Sequence, residues 1–288
     1  MTRTRTTGIE WTEHTWNPFV GCSIHTAGCT NCYAMPQAAR IIRMGTTSSY
    51  EGTIKHAGNG KPIWTGRINK ATPATMRKPF AISRPSIIFV NSMSDFFHEN
   101  ARDDWRTEAL GVMAATPHQY QVLTKRPENI QPYLDRSDTP CFPPNVWIGA
   151  TMERHDFRAR IDVLRQVPAT IRFLSVEPLI GEPGDLDLKG IHWVIAGGES
   201  GPEARPMEPD WVRATRDDCD AFDVPFFFKQ WGIVENNPLW RAAKARGESD
   251  ESAQARIAHL DPIGKGGSQL DGREWKEYPE FAMRGSLI

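Results

Sequence analysis

Long hydrophobic runs are missing from this sequence, and so is an excess of charge of either sign. No apolar stretch reaches the length of a membrane-spanning helix, and the first residues, MTRTRTTG, lack the apolar core of a secretory signal. The 34 basic and 35 acidic residues nearly cancel, which argues against strong non-specific binding to DNA. We therefore expect a cytoplasmic protein that has no membrane partner.

Cysteine is scarce, and three of the five cysteines lie within eleven residues. Cys22, Cys29 and Cys32 occur in GCSIHTAGCTNCYA, whereas Cys141 and Cys219 are isolated. A disulfide within the group would leave a third thiol over, and clustered cysteines in a reducing compartment are typical of metal centres. The spacing therefore predicts a metal or iron–sulfur site on Cys22, Cys29 and Cys32, with a fourth coordination position open for chemistry.

Six short apolar runs recur along the chain, each followed by a polar cluster and then by a stretch with helical character. Such runs are typical of strands buried on both faces, and their alternation with helices predicts a parallel sheet with right-handed crossovers. A further strand is expected at residues 16–20. The predicted strands are residues 86–90, 120–123, 145–150, 171–174, 191–196 and 224–228, and the predicted helices are residues 102–115, 156–167 and 210–222.

The predicted fold class is α/β, an incomplete β/α barrel of the TIM type, and a doubly wound sheet is the second possibility. Residues 1–235 are expected to form the barrel, with the cysteines near its start. An insertion rich in Gly, Lys, Thr and Pro is expected at about residues 45–79. Residues 236–288 are expected to form a polar helical extension and a tail that packs back on the barrel.

Polar and charged side chains follow the predicted strands, at the edge where parallel β/α proteins bind their ligands. The cations there are candidates for holding a phosphate or carboxylate, and the alternative is ion pairing with neighbouring carboxylates. Trp231 is a candidate for stacking on a base, and the alternative is aromatic core packing. The substrate-binding candidates are Lys125, Arg126, Arg205, Lys229, Gln230 and Trp231.

A three-cysteine loop after the first strand of a partial β/α barrel resembles the radical S-adenosylmethionine enzymes. The resemblance implies a 4Fe–4S cluster on Cys22, Cys29 and Cys32, with S-adenosylmethionine on the fourth iron and an external electron donor. It also implies an enzyme that forms a 5′-deoxyadenosyl radical and abstracts hydrogen from its substrate. By the same resemblance, the cofactor contacts are expected from Ser92, Ser94, Asp95, Glu177, Gly197, Gly198 and Glu199.

A longer series of motifs is similar to an uncharacterised phage-associated family, the phage gp thirty-seven/sixty-eight type. The motifs are WNPFVGCS, GCTNCYA, VNSMSDFFHE, VLTKRPENI, WIGATMER, FLSVEPLIG, WVIAGGESGPEARPM and FFFKQWG. They extend from about Ile9 to Trp231, and the similarity returns from about Gly272 to Pro279. The phage association favours nucleic acid or a nucleotide as the substrate class.

The loop departs from the usual radical-enzyme pattern, and two alternative functions stay open. Six residues separate Cys22 from Cys29 where three are usual, and Asn31 precedes the third cysteine where an aromatic residue is common. With His25 or His14, the three thiols would form a closed zinc site in a nucleic-acid-binding or processing barrel. The other alternative is an iron–sulfur redox sensor that has no catalytic activity.

Overall fold

Seven parallel strands form the main sheet of the computed structural model, which describes residues 6–137 and 139–280. The strands are β1 (His14–Trp16), β2 (Phe19–Val20), β3 (Ile54–His56), β4 (Pro62–Trp64), β5 (Asn69–Lys70), β6 (Ile87–Val90), β7 (Gln119–Thr124), β8 (Val146–Thr151), β9 (Arg172–Val176), β10 (Trp193–Ala196), β11 (Phe226–Phe228), β12 (Gln269–Leu270) and β13 (Arg273–Glu274). The helices are α1 (Ala34–Met44), α2 (Pro73–Met76), α3 (Asp103–Ala114), α4 (Ile130–Ser137), α5 (Ala159–Arg165), α6 (Pro209–Ala221), α7 (Pro238–Ala245) and α8 (Asp250–Ile257). Among the described residues, no helix is both long and apolar enough to cross a membrane.

The main strands lie in the order β1-β6-β7-β8-β9-β10-β11. This order never reverses, whereas a doubly wound sheet reverses at its switch point, and neighbouring strands that follow one another in the chain are typical of β/α barrels. The predicted α/β class with parallel strands is therefore confirmed, and the strand order is consistent with a partial barrel. The doubly wound alternative is wrong.

The first predicted strand, residues 16–20, is divided into two short strands. β1 ends at Trp16 and pairs in parallel with β6, whereas β2 begins at Phe19 and pairs antiparallel with β5. Pro18 lies at the break, where it has no amide proton to donate to a ladder. The chain therefore leaves the main sheet after β1, shortly before it reaches Cys22.

The chain divides into two compact units. Within the described residues, the first unit runs through Ala150 and includes Gln166–Arg172, and the second consists of Thr151–Arg165 and the chain from Phe173 onward. A hydrophobic cluster in the first unit is formed by Val20, Ala34, Met35, Ala38, Tyr50, Trp64 and Met93. Cys22 and Cys32 pack against this cluster, so burial of apolar surface, at about 25 cal/mol per Å², helps to anchor both ends of the cysteine segment.

In the second unit, the C-terminal residues cover the edge of β11. The Trp275 carbonyl accepts the Phe228 amide at 2.8 Å, and the Glu277 amide donates to the Phe226 carbonyl at 3.2 Å. Tyr278 stacks on Trp193, with ring centroids 5.2 Å apart. An uncovered edge strand would expose a row of unpaired backbone groups, so this tail completes the hydrogen bonding of β11.

Candidate functional site

The cysteine loop (Gly21–Cys32) is attached to the chain that follows β6. The Gly21 amide donates to the Met93 carbonyl at 3.1 Å, and Gly21 forms an isolated parallel bridge with Ser94. Gly21 has φ +98°, and a Cβ there would lie 2.1 Å from the Arg67 carbonyl oxygen. Only glycine suits this position. The bridge to Ser94, which follows β6, places the start of the loop at the carboxyl end of the sheet.

All three cysteines of the loop are free thiols. Cys29 ends a 3-10 turn (Ala27–Cys29), and its carbonyl accepts the Cys32 amide at 3.3 Å. The Cys32 carbonyl accepts the Met35 amide at 3.2 Å, in the first turn of α1. Cys29 is buried, whereas Cys22 is partly exposed. The backbone between the last two cysteines is therefore a compact turn that leads directly into the helix.

The thiols of Cys22 and Cys32 are held in their neutral form. Burial raises the pKa of Cys22, the Asp95 carboxylate raises it further, and the Arg126 guanidinium opposes that rise. Cys29 and Cys32 lie close enough to raise the pKa of Cys22 as well. Burial also raises the pKa of Cys32. A cation bound here would therefore displace protons from these thiols, as metals do at cysteine sites.

The cysteine loop can be tested for the ligands that an iron–sulfur cluster requires. Three neighbouring thiols are the ligand type that such clusters take. Among the residues that the structure describes, no three His, Cys, Asp or Glu side chains converge as the ligands of one metal ion would. A cluster makes a different demand, because each thiolate ligand takes a separate iron. The donor set of Cys22, Cys29 and Cys32 fits that demand.

Asp95, at the turn after β6, is a saturated carboxylate. Its Oδ1 accepts the Thr124 hydroxyl at 2.6 Å and the Phe97 amide at 3.0 Å. Its Oδ2 accepts the Lys125 amide at 3.0 Å and Arg126 Nη1 at 3.1 Å. Two partners for each oxygen occupy the acceptor positions of the carboxylate. In this structure the Asp95 side chain organises the residues that follow β7, and its predicted contact with a cofactor stays a prediction.

The Arg126 cluster, formed by Ser23, Asp95, His98, Glu99 and Arg126, connects the ends of β6 and β7 with the cysteine loop. The Arg126 side chain is only 2% exposed, so its charge needs partners inside the protein. Besides Asp95, it donates from Nε to Glu99 Oε2 at 2.7 Å and from Nη2 to Ser23 Oγ at 2.7 Å. Arg126, a predicted substrate-binding residue, holds Ser23, the residue that follows Cys22, in this structure.

His98 is the fully buried member of the Arg126 cluster. Its Nε2 lies 2.9 Å from Ser23 Oγ, and its Nδ1 accepts the Asn100 amide at 3.1 Å. Burial lowers the pKa of His98 to about 4, and the nearby Arg126 charge lowers it too. The imidazole is therefore neutral at physiological pH and serves as a fixed hydrogen-bonding group.

Ser92 and Ser94 lie beside the cysteine loop, as their predicted role in cofactor binding requires, but their hydroxyls have partners in the chain. Ser92 Oγ lies within hydrogen-bonding distance of both side-chain atoms of Asn17, at 3.2 and 3.3 Å. Ser94 donates to the Phe19 carbonyl at 2.9 Å. The Tyr33 hydroxyl donates to the Ser92 carbonyl at 2.9 Å. These contacts join the segment after β6 to the residues on both sides of the cysteines.

In the second unit, the predicted cations pair with the predicted carboxylates. Lys229 Nζ lies 2.5 Å from Glu177 Oε1. Arg205 binds Glu199 through two bonds, Nη2 to Oε1 at 2.5 Å and Nε to Oε2 at 2.9 Å. A Cβ on Gly197 would stand 3.3 Å from the Glu177 carboxyl carbon. Ion pairing, the alternative to ligand binding, is therefore the state of both cations in this structure.

Three further candidate site residues of the second unit, Gly198, Gln230 and Trp231, contact other parts of the protein. A Cβ on Gly198 would lie 2.0 Å from the Trp231 carbonyl oxygen, and the Gly198 amide donates to the Gln230 carbonyl at 2.9 Å. Trp231 is fully buried, packs edge-on against Phe228, and donates from its indole to the Gln269 carbonyl at 3.0 Å. The glycine accommodates the protein's own backbone, and Trp231 packs in the core, which is the alternative to stacking on a base.

A family model described as "Protein of unknown function (DUF5131)" matches residues 6–279. The chain belongs to this family. No curated protein and no solved structure matches the chain. The matched range contains the cysteine loop, the Arg126 cluster and both ion pairs of the second unit.

In this DUF5131 member, the contribution of Ser23 was missed by the sequence reasoning. A single serine has no periodicity or spacing of its own, and its role depends on side chains that lie 75 and 103 positions further along the chain. The sequence feature that could have drawn attention to Ser23 is its position directly after Cys22. His98, the other partner of Ser23, lies in the motif VNSMSDFFHE.

Proposed function

We propose that this protein is an iron–sulfur enzyme of the radical S-adenosylmethionine type, with a 4Fe–4S cluster held by Cys22, Cys29 and Cys32. When bound, the cluster and S-adenosylmethionine would supply a 5′-deoxyadenosyl radical for hydrogen abstraction, with the electron coming from an external donor. The residues of this chain provide three thiolates and a fixed polar surrounding for them.

One observation carries the proposal: three free thiols stand on one loop that is attached to the carboxyl ends of parallel strands. Gly21 bridges to Ser94 after β6, and Arg126 after β7 binds Ser23. Cofactors and substrates of β/α proteins bind at this edge of the sheet. The thiols are also near enough to one another to influence the pKa of Cys22.

The surroundings of the loop support the same proposal. The loop begins at a glycine that no other residue can replace without collision, and Cys22 and Cys32 pack against a hydrophobic cluster. Next to Cys22, the Arg126 cluster keeps Ser23 in one position through two hydrogen bonds. Ligands whose surroundings are fixed in this way suit a metal centre, because preorganisation lowers the cost of binding.

The first test is the iron and sulfide content of the full chain after anaerobic reconstitution. We expect roughly four irons and visible charge-transfer absorption in the natural protein. The single variants Cys22→Ala, Cys29→Ala and Cys32→Ala should each lose most of that iron. Cys141→Ala is the matched control, because this cysteine is exposed and lies outside the loop, so its iron content should equal that of the natural chain.

Two results would refute the cluster. One is a natural chain that takes up a single zinc ion and no iron under the same conditions. The other is full iron content in a variant that lacks all three cysteines of the loop, since the iron would then be bound elsewhere.

A further inference from the structure

The Ser23 hydroxyl receives two hydrogen bonds inside the Arg126 cluster. Arg126 Nη2 donates to Ser23 Oγ at 2.7 Å, and a guanidinium is always a donor. His98 Nε2 lies 2.9 Å from the same oxygen. The direction of the second bond depends on which imidazole nitrogen carries the proton.

The surroundings of His98 decide that question. The Asn100 amide donates to His98 Nδ1 at 3.1 Å, so Nδ1 presents its lone pair and carries no proton. The nearest carboxylate oxygen recorded for Nδ1, Glu99 Oε2, is 3.7 Å away, which is too far for a hydrogen bond. A neutral imidazole has one N–H, which must therefore be at Nε2. His98 donates to Ser23, and both lone pairs of Ser23 Oγ are occupied.

A hydroxyl with both lone pairs in use has only its proton left to offer. Among the residues that the structure describes, no acceptor for the Ser23 proton is found, although the side chain is partly buried. The two donors also withdraw electron density from the oxygen, one of them with a full positive charge, and this strengthens the O–H as a donor. The side chain is therefore prepared to donate to a group that the chain itself does not supply.

We propose that Ser23 is a positioning residue whose hydroxyl donates a hydrogen bond to a sulfur of the iron–sulfur group on Cys22, Cys29 and Cys32. This inference rests on the proposed function. Ser23 follows Cys22 directly, and its backbone carbonyl accepts the Cys22 thiol at 3.6 Å, so Ser23 is the residue next to this ligand both in sequence and in contact. Sulfur that carries negative charge is the acceptor that a cation-polarised hydroxyl favours.

The expected consequence is a change in reduction potential. A hydrogen bond to cluster sulfur stabilises the reduced, more negative form, so its loss makes reduction harder. Ser23→Val and Ser23→Thr form the decisive pair, since these side chains have the same shape and differ in the hydroxyl alone. Thr30→Ala is the control from the same loop, because the exposed Thr30 hydroxyl donates to the Ala27 carbonyl instead.

The experiment is a redox titration of the full, reconstituted chain, followed by electron paramagnetic resonance, with iron content measured in every sample. We expect a more negative midpoint potential in Ser23→Val, and a midpoint near that of the natural protein in Ser23→Thr and Thr30→Ala. Equal midpoints in the valine and threonine variants, at full iron content, would overturn the role of Ser23 and leave the proposed function standing. A natural chain that binds no iron would overturn both.

Discussion

At the scale of single residues, the site depends on how a buried arginine is paired. Moving a guanidinium out of water costs several kcal/mol, and only well-formed partners offset that cost. Asp95 Oδ2 accepts from Arg126 Nη1, and Glu99 supplies a second carboxylate at Nε. These two carboxylates hold the Arg126 guanidinium in a single position. From that position its Nη2 donates to Ser23 Oγ, which fixes Ser23 beside Cys22. The loop is thus positioned by ion pairing as well as by apolar packing.

The neutral, buried His98 gives the protein a predictable dependence on pH. Burial lowers its folded-state pKa to about 4, whereas an unfolded histidine has a pKa near 6.5. Between these values the unfolded chain binds the additional proton. The free energy of unfolding should therefore fall as the pH is lowered from about 6.5 to 4, by about 3 kcal/mol for this side chain.

Urea denaturation at a series of pH values between 7 and 4 measures this effect. The His98→Gln variant is the comparison, because glutamine can still donate to Ser23 and does not titrate. Its free energy of unfolding should depend less on pH than that of the natural chain. Identical pH dependence in the two proteins would show that His98 is not held neutral by the fold.

The sequence identified the cysteine trio because spacing is a local property that needs no tertiary information. From the sequence, ion pairing could be stated only as an alternative to ligand binding, since the sequence does not show which strand ends meet. The pairs found are Glu177 with Lys229 and Glu199 with Arg205. The burial of Trp231 was likewise one of two alternatives, because the sequence around a tryptophan that follows a strand does not show whether the ring faces a ligand or the core. The role of Ser23 could not be predicted, because it depends on contacts with His98 and Arg126, which are distant in the sequence.

At the scale of elements, the ends of β10 and β11 in the second unit are joined by two interlocked glycines. A Cβ on Gly198 would lie 2.0 Å from the Trp231 carbonyl oxygen, and one on Gly232 would lie 2.1 Å from the Glu199 carbonyl oxygen. Gly232 also has φ +89°, where residues with a Cβ are strained. The two chain segments therefore approach each other backbone to backbone.

Gly198→Ala should separate these segments and destabilise the protein. Because the added methyl group would meet a backbone atom that cannot rotate away, we expect the free energy of unfolding to fall by about 2–3 kcal/mol. Gly111→Ala is the matched control, since this glycine lies in α3 with no atom within 4 Å of an added Cβ.

The control should be stabilised by up to about 1 kcal/mol, because alanine is the better helix former. Chemical denaturation of Gly198→Ala and Gly111→Ala tests this expectation. The midpoint and the slope of each unfolding curve are measured. A Gly198→Ala midpoint equal to that of the natural chain would contradict the close approach of the two backbones.

Most of the main elements could be predicted, because buried strands leave continuous apolar runs in the sequence. The predicted strand at residues 86–90 is found at Ile87–Val90, and the helix predicted at residues 102–115 is found at Asp103–Ala114. The predicted first strand is interrupted at Pro18, because proline has no amide proton for the ladder even where the surrounding residues are apolar. Its second part, β2, pairs with β5, a partner that no local pattern indicates.

At the scale of the whole molecule, the alternation of strands and helices was sufficient to predict a parallel α/β sheet. The regular strand order agrees with the barrel interpretation and excludes the doubly wound one. The division into two compact units did not follow from the sequence, because it depends on contacts between distant segments, such as Gln166–Arg172 with the first unit. Membership of the DUF5131 family covers nearly the entire chain.

The measurement that tests the central claim most directly is the cleavage of S-adenosylmethionine by the reconstituted chain. After reduction with dithionite under anaerobic conditions, we predict formation of 5′-deoxyadenosine, detected by mass spectrometry, and none from the Cys29→Ala variant. A chain that holds its full complement of iron, yet neither binds S-adenosylmethionine nor releases 5′-deoxyadenosine on reduction, would contradict the account.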